Sequence, residues 1–204
     1  LTSDGLSNSF SNVLSVNVVA AQFAGTMDIE VYPNPIISNQ GLVGHWMMDD
    51  SSGSITDSSG YLHWGTSHGS PAYDVDGRFH RAIEFDGTDD YFDVGPNIVN
   101  LVGNSEEFTL SAWVNTASSG SMQIINAGIG NSWLGSLMIL SIEEGNARVA
   151  VPATDMNYPE LLSTSDINDG DWHLITGTFI SSGSNSELNL YIDGTLDGTL
   201  SGFT

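Results

Sequence analysis

Between residues 171 and 194 the chain reads DWHLITGTFISSGSNSELNLYIDG, and its apolar and polar positions alternate with a period of two. Trp172, Leu174, Thr176 and Thr178 project to one side and His173, Ile175, Gly177 and Phe179 to the other; in the second arm Leu188, Leu190 and Ile192 alternate with Asn189, Tyr191 and Asp193. This predicts two half-buried antiparallel strands. The run SSGSNS turns the chain between them, and Asp193-Gly194 opens a further hairpin. The stretch FTLSAWV is just as regular, with Phe108, Leu110, Ala112 and Val114 on one face.

The remaining pattern is built of short strands. Residues 1–12 read as a flexible polar arm, 13–21 as a β-branched strand and 26–32 as a strand with Met27, Ile29 and Val31 on one face, stopped by Pro33-Asn34-Pro35. Residues 36–40 are a connector. Residues 41–48 predict a buried strand with Trp46 as its bulk, followed by a loop dense in carboxylates and hydroxyls over 49–61. Residues 73–78 read as a loop. Residues 82–94, AIEFDGTDDYFDV, read as a hairpin, with Ile83 and Phe85 on one arm, Tyr91 and Phe92 on the other, and Asp86-Gly87 at the turn. Strands follow at 122–127, 136–142 and 147–151, a loop at 155–165 and a short strand at 198–200. No helical periodicity persists beyond about two turns. About a dozen short strands joined by Gly, Asp, Asn and Ser turns predict an all-β fold, a two-sheet antiparallel sandwich.

Composition narrows what such a sandwich can do. The 204 residues suffice for one core without staples, and there is no cysteine. Asp and Glu number 25 against three basic residues, all arginine, for a formal charge of −22. This excludes nucleic acid and anionic membrane surfaces as partners, because phosphate binding requires Lys or Arg. It also calls for divalent cations or salt to relieve self-repulsion. An apolar content of 40% argues against wholesale disorder. No apolar run approaches the ~18 residues of a membrane span. The chain opens on Leu1 without a basic or long apolar leader, so any secretion signal is expected to have been removed or never present. Richness in Ser, Thr, Asn and Gly without lysine predicts an extracellular or cell-surface setting.

The candidate chemistry lies in the loops. Ca²⁺ takes six to eight oxygens, and Asp49, Asp50, Asp57 and the group Asp86, Asp89 and Asp90 lie where such oxygens can converge. The competing reading is that these are solvated turn aspartates accepting from their own backbone. The five histidines show no HxH or HxxxH spacing. Sugars stack on exposed aromatic rings, and Trp64, Trp133 and Tyr158 fall in loops, with Trp133 the first to test; Trp46, Trp113 and Trp172 sit at positions suited to core packing.

Several multi-residue motifs then carry a resemblance. GLVGHWMMDD with TDSSGYLHWGT, GRFHRAIEFDGTDDYFDVG, FTLSAWVN, DWHLITGTF and LNLYIDGTLDG resemble, in order, the motifs of laminin-G-like domains of the concanavalin A-like jelly rolls, the superfamily of pentraxins, legume lectins and several glycosidases. The resemblance covers residues 41 to about 202 and implies a jelly-roll sandwich. It divides the chain into residues 1–40, an arm and strand pair, and residues 41–204, the laminin-G-like domain. The family's closing strand pair is not found downstream, whereas residues 23–38, FAGTMDIEVYPNPIIS, resemble it. Three arrangements are open: a permuted domain whose N-terminal segment closes its own sheets, donation of that segment to a neighbouring subunit, or a fragment of a tandem array. The family's structural ion implies Asp28 as a further ligand. The ExDxxE pattern of the superfamily's glycosidases is absent, so no catalysis is expected. The expected function is a non-catalytic extracellular structural or adhesive subunit, calcium-stabilised and assembling with copies of itself into a fibre by strand donation. The alternative is a carbohydrate-binding, lectin-like module with extracellular glycans as partners.

Overall fold

A computed structural model describes residues 12–14, 20–21, 41–96, 107–128, 136–151, 158–182 and 185–203. Within them the alternating stretches form strands, because every second side chain can then enter a shared core while the backbone pairs laterally. In chain order these are β1 (Asn12–Leu14), β2 (Ala20–Ala21), β3 (Leu42–Gly44), β4 (Thr66–His68), β5 (Ala72–Asp76), β6 (Arg81–Phe85), β7 (Tyr91–Asp93), β8 (Glu107–Asn115), β9 (Met122–Gly128), β10 (Ser136–Glu143), β11 (Asn146–Ala150), β12 (Glu160–Asp166), β13 (Trp172–Ile180), β14 (Ser186–Ile192) and β15 (Thr195–Phe203). No α-helix occurs among the described residues, and none is long and apolar enough to cross a membrane.

Two four-stranded antiparallel sheets, in the orders β15-β14-β13-β8 and β12-β11-β10-β9, make the body of a jelly-roll sandwich. The predicted arms at 172–180 and 186–192 pair as expected, with Gly177 opposite Leu190 on one side and Leu110 on the other. Asp193 and Gly194 adopt φ of 53° and 77°, the two left-handed residues that a tight hairpin requires, and β15 returns directly beside β14. His173 ties this turn to the loop before β13, with Nδ1 2.8 Å from Asp193 and Nε2 3.2 Å from Asp169. Burial alone would lower its pKa, but the two carboxylates outweigh burial and raise it.

The core joins Phe108, Leu110, Ala112 and Val114 of β8, Ile175 of β13 and Leu188 and Leu190 of β14 to Met138, Leu140 and Ile142 of β10 and Ala147 and Val149 of β11. The sheets approach closely at Gly177. A Cβ built there would lie 2.6 Å from the Val149 side chain and 2.8 Å from that of Met138.

Several expectations require correction. Residues 82–94 are not a hairpin: β6 pairs with β5 and β1, and β7 pairs with β4. The turn between them is tied by the Asp86 and Asp90 carboxylates, and Phe85 meets Phe92 edge to face, with centroids 5.7 Å apart, instead of lying beside it in a ladder. The expected loops at 73–78 and 155–165 overlap β5 (Ala72–Asp76) and β12 (Glu160–Asp166); both strands pair with regular neighbours, which outweighs their polar composition. Of the predicted 41–48 strand, Leu42–Gly44 forms β3 and Trp46 adds an isolated antiparallel bridge to Asp57, while burial alternates as far as Met48. The final strand is longer than residues 198–200, spanning Thr195–Phe203.

The described N-terminal residues pair within the chain, β1 along β6 and β2 against β3. The predicted strand at 26–32 and the connector at 36–40 lie outside the described residues.

Candidate functional site

The loop from Asp49 to Gly65 is long and polar, yet it is held tightly. Its organiser is Asp57, buried at 5% exposure. The Asp57 carboxylate accepts from the backbone N–H groups of His45 (3.0 Å), Ser59 (2.8 Å) and His63 (2.9 Å) and from the Ser59 hydroxyl (2.8 Å). Burial by itself would raise its pKa; the hydrogen bonds together outweigh burial and hold it below the ordinary carboxylate value. The indole Nε1–H of the buried Trp46 donates to the His63 carbonyl at 2.7 Å. Ile55 and Gly65 exchange backbone hydrogen bonds of 2.9 and 3.0 Å. Gly65 allows that approach, since a Cβ there would lie 2.4 Å from the Ile55 side chain.

This bracing surrounds a short exposed arc. Between the anchored residues Ser59 and Gly65, Tyr61 is 56% exposed, Leu62 69% and Trp64 59%. Leu62 has φ of 62°, a left-handed conformation unfavourable for a large side chain. The His63 ring turns inward and stacks on Tyr61 with the planes 7° apart. The arc therefore presents large apolar groups to solvent on a rigid loop. Asp50 serves the same loop, accepting from the Thr56 amide at 3.0 Å and its hydroxyl at 2.7 Å. Asp49 is exposed nearby.

A second group lies in the turn between β6 and β7. One carboxylate oxygen each of Asp86, Asp89 and Asp90 falls within 4.8 Å of the others. Asp90 accepts from the amides of Ser70 (2.6 Å) and Asp86 (3.0 Å), and Asp86 accepts from that of Thr88 (2.8 Å). These three sequence candidates are brought together. Asp57 and Asp50 are instead committed to the preceding loop, and Tyr158 is half-buried just ahead of β12. Asp28 and Trp133 lie outside the described residues.

One aromatic group escaped the sequence reading. Trp113, assigned there to the core, lies on the opposite face of β8 from Leu110 and Ala112, where Phe79 meets it edge to face at 5.5 Å. Arg78 lies over both rings, 5.2 Å from each centroid. The signal was present: strict alternation in FTLSAWV places Trp113 on the face opposite Phe108, Leu110, Ala112 and Val114. Size alone favours the core for such a residue.

On the outer surface of β10–β12 a shallow depression is lined by Glu143, Arg148, Glu160 and Leu162. Its carboxylates are engaged, Glu160 by the Arg148 guanidinium at 2.6 and 2.8 Å and Glu143 by the Ser121 hydroxyl at 2.9 Å.

Comparison with known proteins agrees with the jelly-roll architecture. The receptor-binding domain of botulinum neurotoxin mosaic serotype C/D matches with TM-score 0.52 and 19% identity, over 76% of this chain and 37% of that one. Botulinum neurotoxin type C, described as dependent upon interaction with two ganglioside molecules to enter cells, matches with TM-score 0.50 and 18% identity, over 77% and 41%. The chain thus spans about two-fifths of the length of these structures, and at such identities the likeness concerns the fold. No curated protein matches in sequence. A laminin G-type family model, described as Concanavalin A-like lectin/glucanases superfamily, matches residues 86–204, more than half of the chain. By that match the chain belongs to the laminin G-like branch of the concanavalin A-like lectin/glucanase superfamily.

Proposed function

We propose that this chain is a non-catalytic, lectin-like binding module working outside the cell, and that it holds a sugar ring against Trp64 with Tyr61 beside it. The observation that carries the reading is the exposure of Trp64 on a loop pinned by Asp57 and Trp46. Large aromatic groups are normally withdrawn from water, and one presented on a pre-ordered loop stacks on the apolar face of a pyranose with little entropy lost on binding. A superfamily that includes lectins, and a fold shared with a toxin that interacts with gangliosides, support glycans as the ligand class. The pairing of β1 and β2 within the chain favours a domain that closes its own sheets, so the module acts without a neighbour's strand. Glycan-array screening followed by calorimetry tests the reading. Trp64→Ala is expected to weaken glycan binding at least tenfold, about 1.4 kcal/mol, without lowering the melting temperature. Unchanged affinity would refute it.

The module is further proposed to be steadied by Ca²⁺ at Asp86, Asp89 and Asp90. Oxygens bound to one Ca²⁺ at roughly 2.3–2.6 Å lie up to about 5 Å apart, which the spacing of these carboxylates satisfies. Bound calcium would also relieve repulsion among three neighbouring negative charges. Millimolar Ca²⁺ is expected to raise the melting temperature by a few degrees relative to chelator, an increment lost in Asp89→Asn. Asp89 suits the test because Asp86 and Asp90 also hold the turn. Identical melting with calcium and with chelator would remove calcium from the account.

A further inference from the structure

The chain's entire complement of lysine and arginine is three arginines, set among 25 acidic residues. Two are matched to carboxylates. Arg81 pairs with Asp74 at 3.1 Å and Asp76 at 2.9 Å, and Arg148 with Glu160 at 2.6 Å. Arg78 is different: among the described residues its guanidinium meets no carboxylate and lies over the rings of Phe79 and Trp113. Its partners among the described residues are thus aromatic and not acidic.

The geometry defines what remains available. The guanidinium carbon lies 5.2 Å from each centroid, and the two rings stand 85° apart, so its flat face can meet at most one of them while its N–H donors stay free of carboxylates among the described residues. Arg78 is exposed, and Phe79 beside it is 57% exposed. The site therefore combines a planar donor fork beside two aromatic rings with an open aromatic surface. A carboxylate fits the fork through two parallel hydrogen bonds, and a sugar ring carrying that carboxylate can rest on Phe79.

We propose that Arg78, Phe79 and Trp113 form a subsite for the carboxylate of an acidic sugar, a uronic or sialic acid residue. The inference rests on the reading of the chain as a glycan-binding module and names the class of sugar. The overall charge favours a single carboxylate over a polyanion. A highly sulfated or phosphorylated chain would meet the field of −22 along its length, whereas one carboxylate at contact with Arg78 is screened from distant charges beyond about 8 Å at physiological salt. The subsite is also separable from Trp64. Arg78 precedes β6, whereas Phe85 at the other end of β6 packs on Phe92 of β7, the strand beside β4 and the aromatic loop.

Having only three arginines makes the test direct, since each side-chain Nε–H gives its own NMR signal. The whole chain is titrated with sialyllactose, lactose and acetate. Sialyllactose is expected to shift the Arg78 signal saturably and to bind roughly tenfold more tightly than lactose. The difference disappears in Arg78→Gln and shrinks in Arg78→Lys, which keeps the charge but loses the fork. Phe79→Ala, at an exposed position, weakens sialyllactose more than it weakens acetate. Equal binding of sialyllactose and lactose, or a shift at Arg81 or Arg148 instead of Arg78, overturns the proposal. Equal affinity for acetate and sialyllactose overturns the sugar part, leaving a bare carboxylate trap. Neutral-glycan binding that depends on Trp64, with a silent Arg78, defeats this inference alone; loss of every glycan interaction defeats the lectin reading as well.

Discussion

Asp57→Ala is expected to cost about 3–5 kcal/mol of folding stability, because it strips the acceptor from three backbone donors and one hydroxyl in a buried position. Hydrogen bonds to an ionised acceptor are worth about 1.5–3 kcal/mol each when measured singly. Those around one carboxylate do not add fully, since water enters the niche once it is vacated. For a domain of this size the loss corresponds to a fall of about 10 °C in melting temperature. Asp57→Asn fares little better, as its amide group sets donors against donors. The effect carries a pH signature. The folded-state pKa of Asp57 lies below its ordinary 3.8, so the stabilisation is complete above the ordinary value and is lost as pH falls through the folded one. The gap between wild type and Asp57→Asn in denaturant unfolding should therefore narrow on acidification below about pH 4. A constant gap across that range would mean that the carboxylate's charge contributes nothing. Because Asp57 anchors Ser59 and His63 on either side of Tyr61 and Leu62, the same substitution should weaken any ligand held at Trp64.

Gly177→Val is expected to destabilise the domain by about 1–3 kcal/mol or more, against the preference of strands for valine. Gly177 is buried between Leu110 and Leu190 in its sheet, under Val149 and Met138 of the other. The Cβ and two methyl groups of valine have nowhere to go unless the sheets separate locally. Alanine tests the same point more gently, since its single Cβ must displace the flexible end of Met138 and a Val149 methyl. If the valine variant melted at or above the wild-type temperature, the close approach of the sheets at this position would be refuted.

The sandwich body was legible in the sequence because its strands are long and half-buried. Alternation located β8, β10, β13 and β14 within a residue or two, and Asp193-Gly194 marked a tight turn. Shorter elements were harder to read. The stretch AIEFDGTDDYFDV has the pattern of a hairpin, yet β6 and β7 pair with different partners, and nothing local to the two strands specifies which. Residues 72–76 and 160–166 were too polar to announce strands; they are extended because neighbours offer them complementary edges. The candidate carboxylates divided in the same way. Asp86, Asp89 and Asp90 converge because they share one turn, whereas Asp57 sits apart, its oxygens turned toward the backbone amides of His45, Ser59 and His63.

The sequence by itself determined the fold class and, through shared motifs, the superfamily, since these follow from periodicity and strings of adjacent residues. Tertiary structure alone decided that Asp57 and Trp46 brace the loop that exposes Trp64, and that Arg78 meets Trp113 from a separate hairpin. Those contacts join residues 17 and 35 positions apart, or approach from different strands, and they depend on how the sheets pack, a quantity no local pattern encodes.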